Sequence, residues 1–174
     1  MQTANNSNLH YAYPLSPADK QFLRENIFKA LDVAPNKIIQ SAFCSVIYNI
    51  AQVDFPEGWK NSVQEVGDRI KVSVSNEGIL ISGLMALKEI FEANEYHLEE
   101  DRTTLNQLVE MFFPLLEQVM QDAGQSQSGN QILVMHLISK IFFSANNVRL
   151  LIILIYNVSI ACGLSLLPWD ASED

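Results

Sequence analysis

Apolar positions recur at three- and four-residue spacing along most of the chain, the period of helices that bury one face. Ser16-Pro17 reads as an N-cap followed by proline at the first helical position, and Asp19 adds negative charge to the first turn. Phe22, Leu23, Ile27, Ala30 and Leu31 then predict a first helix from about Pro17 to Val33. Pro35 opens a second. Its stripe of Ile38, Ile39, Ala42, Phe43, Val46, Ile47 and Ile50 is wide, as a helix packed among neighbours requires. That helix should stop near Val53, because Pro56 lacks an amide donor and disfavours helical geometry at Phe55.

Trp59, Val63, Val66 and Ile70 predict a third helix, and Leu80, Ile81, Leu84, Leu87, Ile90 and Phe91 a fourth that starts after Ser75-Asn76. Val72-Ser73-Val74 alternates like a strand but is too short to outweigh its surroundings. Beyond the polar stretch from Asn94 to Arg102, Thr103 or Thr104 can cap a fifth helix, with Leu105, Leu108, Val109, Phe112, Phe113, Leu116, Val119 and Met120 on its stripe. Pro114 lies inside that run and should kink or divide it. Gly124-Gln125-Ser126-Gln127-Ser128-Gly129 reads as a flexible linker, after which Ile132, Val134, Met135, Ile138, Ile141 and Phe142 make a sixth helix.

The order is helix, short turn, helix, in pairs at about 17–53, 58–94 and 103–144. A repeat of roughly 40 residues is the period of HEAT or armadillo units. The expected fold is therefore all-α: an α-solenoid of about three HEAT-like antiparallel pairs over 16–146, with a flexible segment over 1–15. An ordinary helical bundle uses the same amphipathic pattern and is the alternative.

Acidic residues outnumber basic ones, 20 against 11, for a net charge of −9. Nucleic acid is a poor partner for such a chain, since phosphate neutralisation needs clustered Lys and Arg. A basic protein partner fits better, although acidity also serves solubility alone. Cys44 and Cys162 sit in apolar runs without ligand spacing to any histidine, and read as buried free thiols. His10, His97 and His136 have no Cys or carboxylate at metal-ligand spacing, and His136 reads as a residue of the helix face. Glu99-Glu100-Asp101 precedes a helix start, where negative charge favours the helix dipole. Gly124 and Gly129 flank no lysine, so no phosphate loop is present. No catalytic, cofactor or metal site is expected, and the chain is read as a binding protein and not an enzyme.

Leu150 to Leu167 carries no charge and is nearly all apolar. Its 18 residues reach the lower limit for a membrane span. Three readings stay open for 147–167: a tail anchor, a buried seventh helix capping the stack, or sequence foreign to the ancestral protein. An acidic tail, 168–174, follows.

Several stretches, in order, resemble the importin-β superfamily of nuclear transport receptors, most closely the importin-seven and importin-eight type. Arg24-Glu25-Asn26-Ile27 is similar to the first helix of an N-terminal HEAT repeat. Asp54-Phe55-Pro56 with Trp59 resembles the turn between repeats, and Gly83-Leu84 and Leu87 running on to Glu95-Tyr96 resemble the next second helix. Phe113-Pro114-Leu115-Leu116 and Lys140-Ile141-Phe142 match the pair after it. Gly58 departs from the Arg or Lys usual before the tryptophan, and the family's earliest repeats have no counterpart before Ser16.

The resemblance implies a nuclear import receptor, or a fragment of one, that shuttles between cytoplasm and nucleus through the pore and its proteins. Implied partners are the small GTPase Ran, whose GTP form releases cargo, and basic cargo such as ribosomal proteins and histones. It also places the binding surface on the second helix of each pair, over Pro35–Val53, Asn76–Ala93 and Asn130–Ser144. Asn49, Gln52, Lys88, Glu92 and Glu95 are the polar residues there that could point inward. The alternatives are a tail-anchored helical-repeat adaptor, which would make a membrane a partner, or a truncated non-functional relative.

Overall fold

Local chemistry sets where each helix begins. The computed structural model describes residues 15–71, 76–95, 102–125 and 128–145. Ser16 caps α1, Pro17–Asp32, in a reciprocal box: its hydroxyl accepts from the Asp19 amide while the Asp19 carboxylate accepts from Ser16. Helix α2, Lys37–Asp54, starts two residues later than Pro35 suggests, because Asn36 is the cap and accepts from the Ile38 and Ile39 amides. Trp59 belongs to a 3-10 turn, Glu57–Trp59, and α3 follows as Ser62–Lys71. Asn76 caps α4, Glu77–Ala93, through the Ile79 amide.

Three expectations about the third pair need correction. Helix α5 runs unbroken through Pro114 from Thr103 to Gln125, so the proline does not divide it. Phe112, Phe113 and Leu116, all buried around Pro114, hold the helix by tertiary packing against the lost backbone bond. Thr103 and Thr104 lie in its first turn and not at the cap, since the Arg102 carbonyl accepts from the Asn106 amide. Gly124 and Gln125, expected in the linker, are still helical. Ser128 to Asn130 then lead into α6, Gln131–Ser144.

The helices form an all-α helical-repeat solenoid. The second helices make one continuous layer, α2 against α4 and α4 against α6. The first helices back it, with α1 touching α2 and α4, α3 touching α4 and α5, and α5 touching α6. Helix α4 is the hub, and Leu84, Ala86, Leu87, Ile90 and Phe91 on it are wholly buried. Its approach to α3 requires glycine at position 83. A Cβ there would lie 2.9 Å from the Arg69 Cβ and 3.3 Å from Ile70 Cγ1.

A polar joint ties the pairs together. Trp59 stacks on Phe28 of α1, with ring centroids 5.0 Å apart. The Arg69 guanidinium of α3 lies over the Phe28 ring, 5.2 Å from its centroid, and reaches Asp32 at 3.3 Å. Ser82 of α4 donates to the same Asp32 carboxylate. Within the first pair, Arg24 donates twice to Asp54, at 3.0 and 2.5 Å.

No helix among the described residues is long and apolar enough to cross a membrane. Leu150 to Leu167, Val72-Ser73-Val74, Glu99-Glu100-Asp101, His10, His97, Cys162 and the two chain ends lie outside the described residues.

Candidate protein-binding face

The layer of α2, α4 and α6 turns one side toward the first helices and leaves the other open. On that open side a depression of about 310 Å³ is lined by Ser41, Cys44 and Ser45 of α2, Met85, Lys88 and Glu89 of α4, and Leu137 of α6. Lys88 is its central charge. Its Nζ donates to Glu89 at 2.9 Å and to Glu92 at 2.6 Å, so two carboxylates share one ammonium. The side chains of Lys88, Glu89 and Glu92 retain 15%, 13% and 30% of their exposure, which makes Glu92 the open end of the cluster.

Burial opposes the ammonium form of Lys88, but hydrogen bonds and charge from Glu92 and Glu89 outweigh it and raise its pKa. The lysine therefore stays a cation across physiological pH. Cys44 forms part of the floor. Burial, and then the negative charge of the neighbouring Glu89 carboxylate, push its pKa up to about 12. A thiol so held is neither a nucleophile nor a metal ligand at neutral pH. Among the described residues no three His, Cys, Asp or Glu side chains come together to hold a metal ion.

Of the five candidate residues, the structure brings Lys88 and Glu92 together as an ion pair one turn apart. Glu95 follows the C-cap of α4 and is half-buried, its amide donating to the Glu92 carbonyl. Asn49 and Gln52 are exposed on α2 but bonded within their own helix, to the Ser45 carbonyl and the Tyr48 hydroxyl. Asn49 also lines a separate apolar groove of about 270 Å³ between α1 and α2, with Leu23, Val46, Ile50 and Val53.

Sequence reasoning finds Cys44 as a buried free thiol but sets neither it nor Glu89 at this face. Adjacent helix positions do not ordinarily face one another, so the Lys88–Glu89 pair leaves no periodic signal. The packing of α2 on α4 is what sets Cys44 beside Lys88 and Glu89 in the depression.

No protein-family model and no solved structure matches the chain. Among curated proteins it is similar to Importin-8 of Mus musculus, 24% identical over 135 residues, which is 77% of this chain and 13% of that protein. Importin-8 of Danio rerio is 25% identical over 133 residues, 76% of this chain and 13% of that protein. A probable importin-7 homolog of Dictyostelium discoideum is 26% identical over 131 residues, 74% of this chain and 12% of that protein. The chain thus spans about an eighth of the length of the curated relatives it matches, and over most of its own length it resembles part of an importin.

Proposed function

We propose that the chain is a helical-repeat portion of an importin-type nuclear transport receptor and works by binding, without catalysis. The observation that carries this reading is the similarity to three importins across about three quarters of the chain. The α2–α4–α6 layer is the binding face. Its cluster of two carboxylates around one ammonium bears a net negative charge and favours basic protein cargo, of the kind histones and ribosomal proteins represent. Release is driven by the GTP form of Ran, and the protein shuttles between cytoplasm and nucleus through contacts with pore proteins.

Retention of the purified chain on immobilised core histones tests the cargo half. Binding is expected at low salt and should fall steeply as salt rises, because partly exposed charges are screened. Absence of retention at low salt removes basic cargo from the reading. Adding Ran loaded with GTP should then elute the chain while the GDP form does not. Equal elution by both removes GTPase-controlled release.

A further inference from the structure

We propose that Lys88 is a built-in competitor for the binding face: its ammonium occupies the place that a basic side chain of the partner takes on binding, and it swings out to water as the partner enters. The inference rests on the basic-cargo reading above and specifies how the same face would work. Glu89 and Glu92 offer two carboxylates to one internal cation, at 2.9 and 2.6 Å. The Glu92 end retains 30% side-chain exposure, so an incoming cation meets that carboxylate first.

The surrounding residues suit the exchange. Met85 and Leu137 give the depression apolar walls that can receive the aliphatic stem of an arginine or lysine. Glu89, 13% exposed, lines the depression beside Cys44 and so keeps its place while its cation changes. Replacing one cation by another leaves no buried carboxylate unpaired, which is the step that would otherwise be costly. Lys88 has a flexible four-carbon stem and a strongly hydrated head, so it regains solvation when displaced. Nothing of this kind is open to Arg69, which is held by Phe28, Asp32 and the Glu65 carbonyl.

The consequence is an affinity for basic segments that the protein itself holds down. The test is amine-specific labelling of Lys88, read by mass spectrometry, with and without a synthetic oligo-arginine peptide, which carries no side-chain amine. Lys88 labelling should speed up when the peptide binds. Labelling that slows or stays the same while the peptide is demonstrably bound overturns the exchange and leaves the basic-cargo reading standing. No peptide binding at low salt overturns both. Lys88→Met supplies a second readout: it should bind the peptide about fivefold more tightly, the scale of one partly screened charge removed. Equal or weaker binding by a folded Lys88→Met chain counts against the proposal.

Discussion

Arg69 and Lys88 are both cations with almost the same residual exposure, 14% and 15%, yet the structure uses them oppositely. Arg69 is held by three groups, two of them on α1. Phe28 covers its face, Asp32 of α1 pairs with it, and the Glu65 carbonyl accepts from Nη1 at 3.1 Å. Asp32 in turn accepts from Ser82 of α4, so α1, α3 and α4 all close on one point. Lys88 has both of its carboxylates on its own helix, and one end of the cluster is open. Partners spread over several helices make a charge structural. Partners on one helix leave it exchangeable, because displacing it separates no helices.

The largest effect should come from the ring on which the Arg69 joint is built. Phe28→Ala removes a fully buried aromatic, its stack on Trp59 and the cation contact together. A loss of about 3–5 kcal/mol is expected in denaturant unfolding, enough to unfold a marginal chain. A change below about 1 kcal/mol would mean that the joint does not hold the pairs together. Next is Gly83→Ala, whose new methyl meets the Arg69 Cβ at 2.9 Å. Moving α3 off α4 to make room should cost about 1–3 kcal/mol, as overpacking does, although glycine to alanine in a helix is otherwise favourable.

The direct form of the comparison is Arg69→Met against Lys88→Met. The first leaves Asp32 without its cation between three helices and should cost about 2–3 kcal/mol. The second also strips Glu89 of its cation, but the cluster lies on one helix and opens to water at Glu92, so it should cost less, about 1 kcal/mol. Equal losses would erase the distinction between a structural and an exchangeable cation. Thermal unfolding of the two variants in one buffer is sufficient to decide it.

Much of this architecture is legible in the sequence because helix packing writes itself as periodicity. The α4 stripe of Leu80, Leu84, Leu87, Ile90 and Phe91 is read there at helical spacing and is the buried hub. Trp59, which the resemblance sets at the turn between repeats, is buried there against Phe28. Helix ends were less legible. Asn36 outcompetes Pro35 as the start of α2 because its side chain satisfies two amides, and Pro114 is carried inside α5 by its buried neighbours. The candidate face is only half legible. Lys88 and Glu92 share a helix face by spacing, whereas Glu89 reaches Lys88 from the adjacent position and Cys44 comes from α2, and no periodicity encodes either.

The smallest effect concerns a third polar clamp, more exposed than either cation. Glu77, in the first turn of α4, accepts from the Ser128 hydroxyl and from Asn130 Nδ2 at 2.9 Å, which fastens the turn before α6 to the second pair. The hydrogen bond from Ser128, then that from Asn130, lowers the Glu77 pKa. A carboxylate whose folded pKa is depressed stabilises the fold fully above its unfolded pKa, and that contribution is lost as pH falls through the folded value. Amide exchange in the turn at Gly129 to Gln131 should therefore, after correction for intrinsic exchange, rise between about pH 5 and about pH 3. Glu77→Gln should flatten this dependence while leaving the unfolding midpoint at neutral pH almost unchanged. If the variant instead unfolds much earlier at neutral pH, an exposed clamp on two elements is worth as much as the enclosed Arg69 joint. Enclosure would then not be what separates structural charges from exchangeable ones.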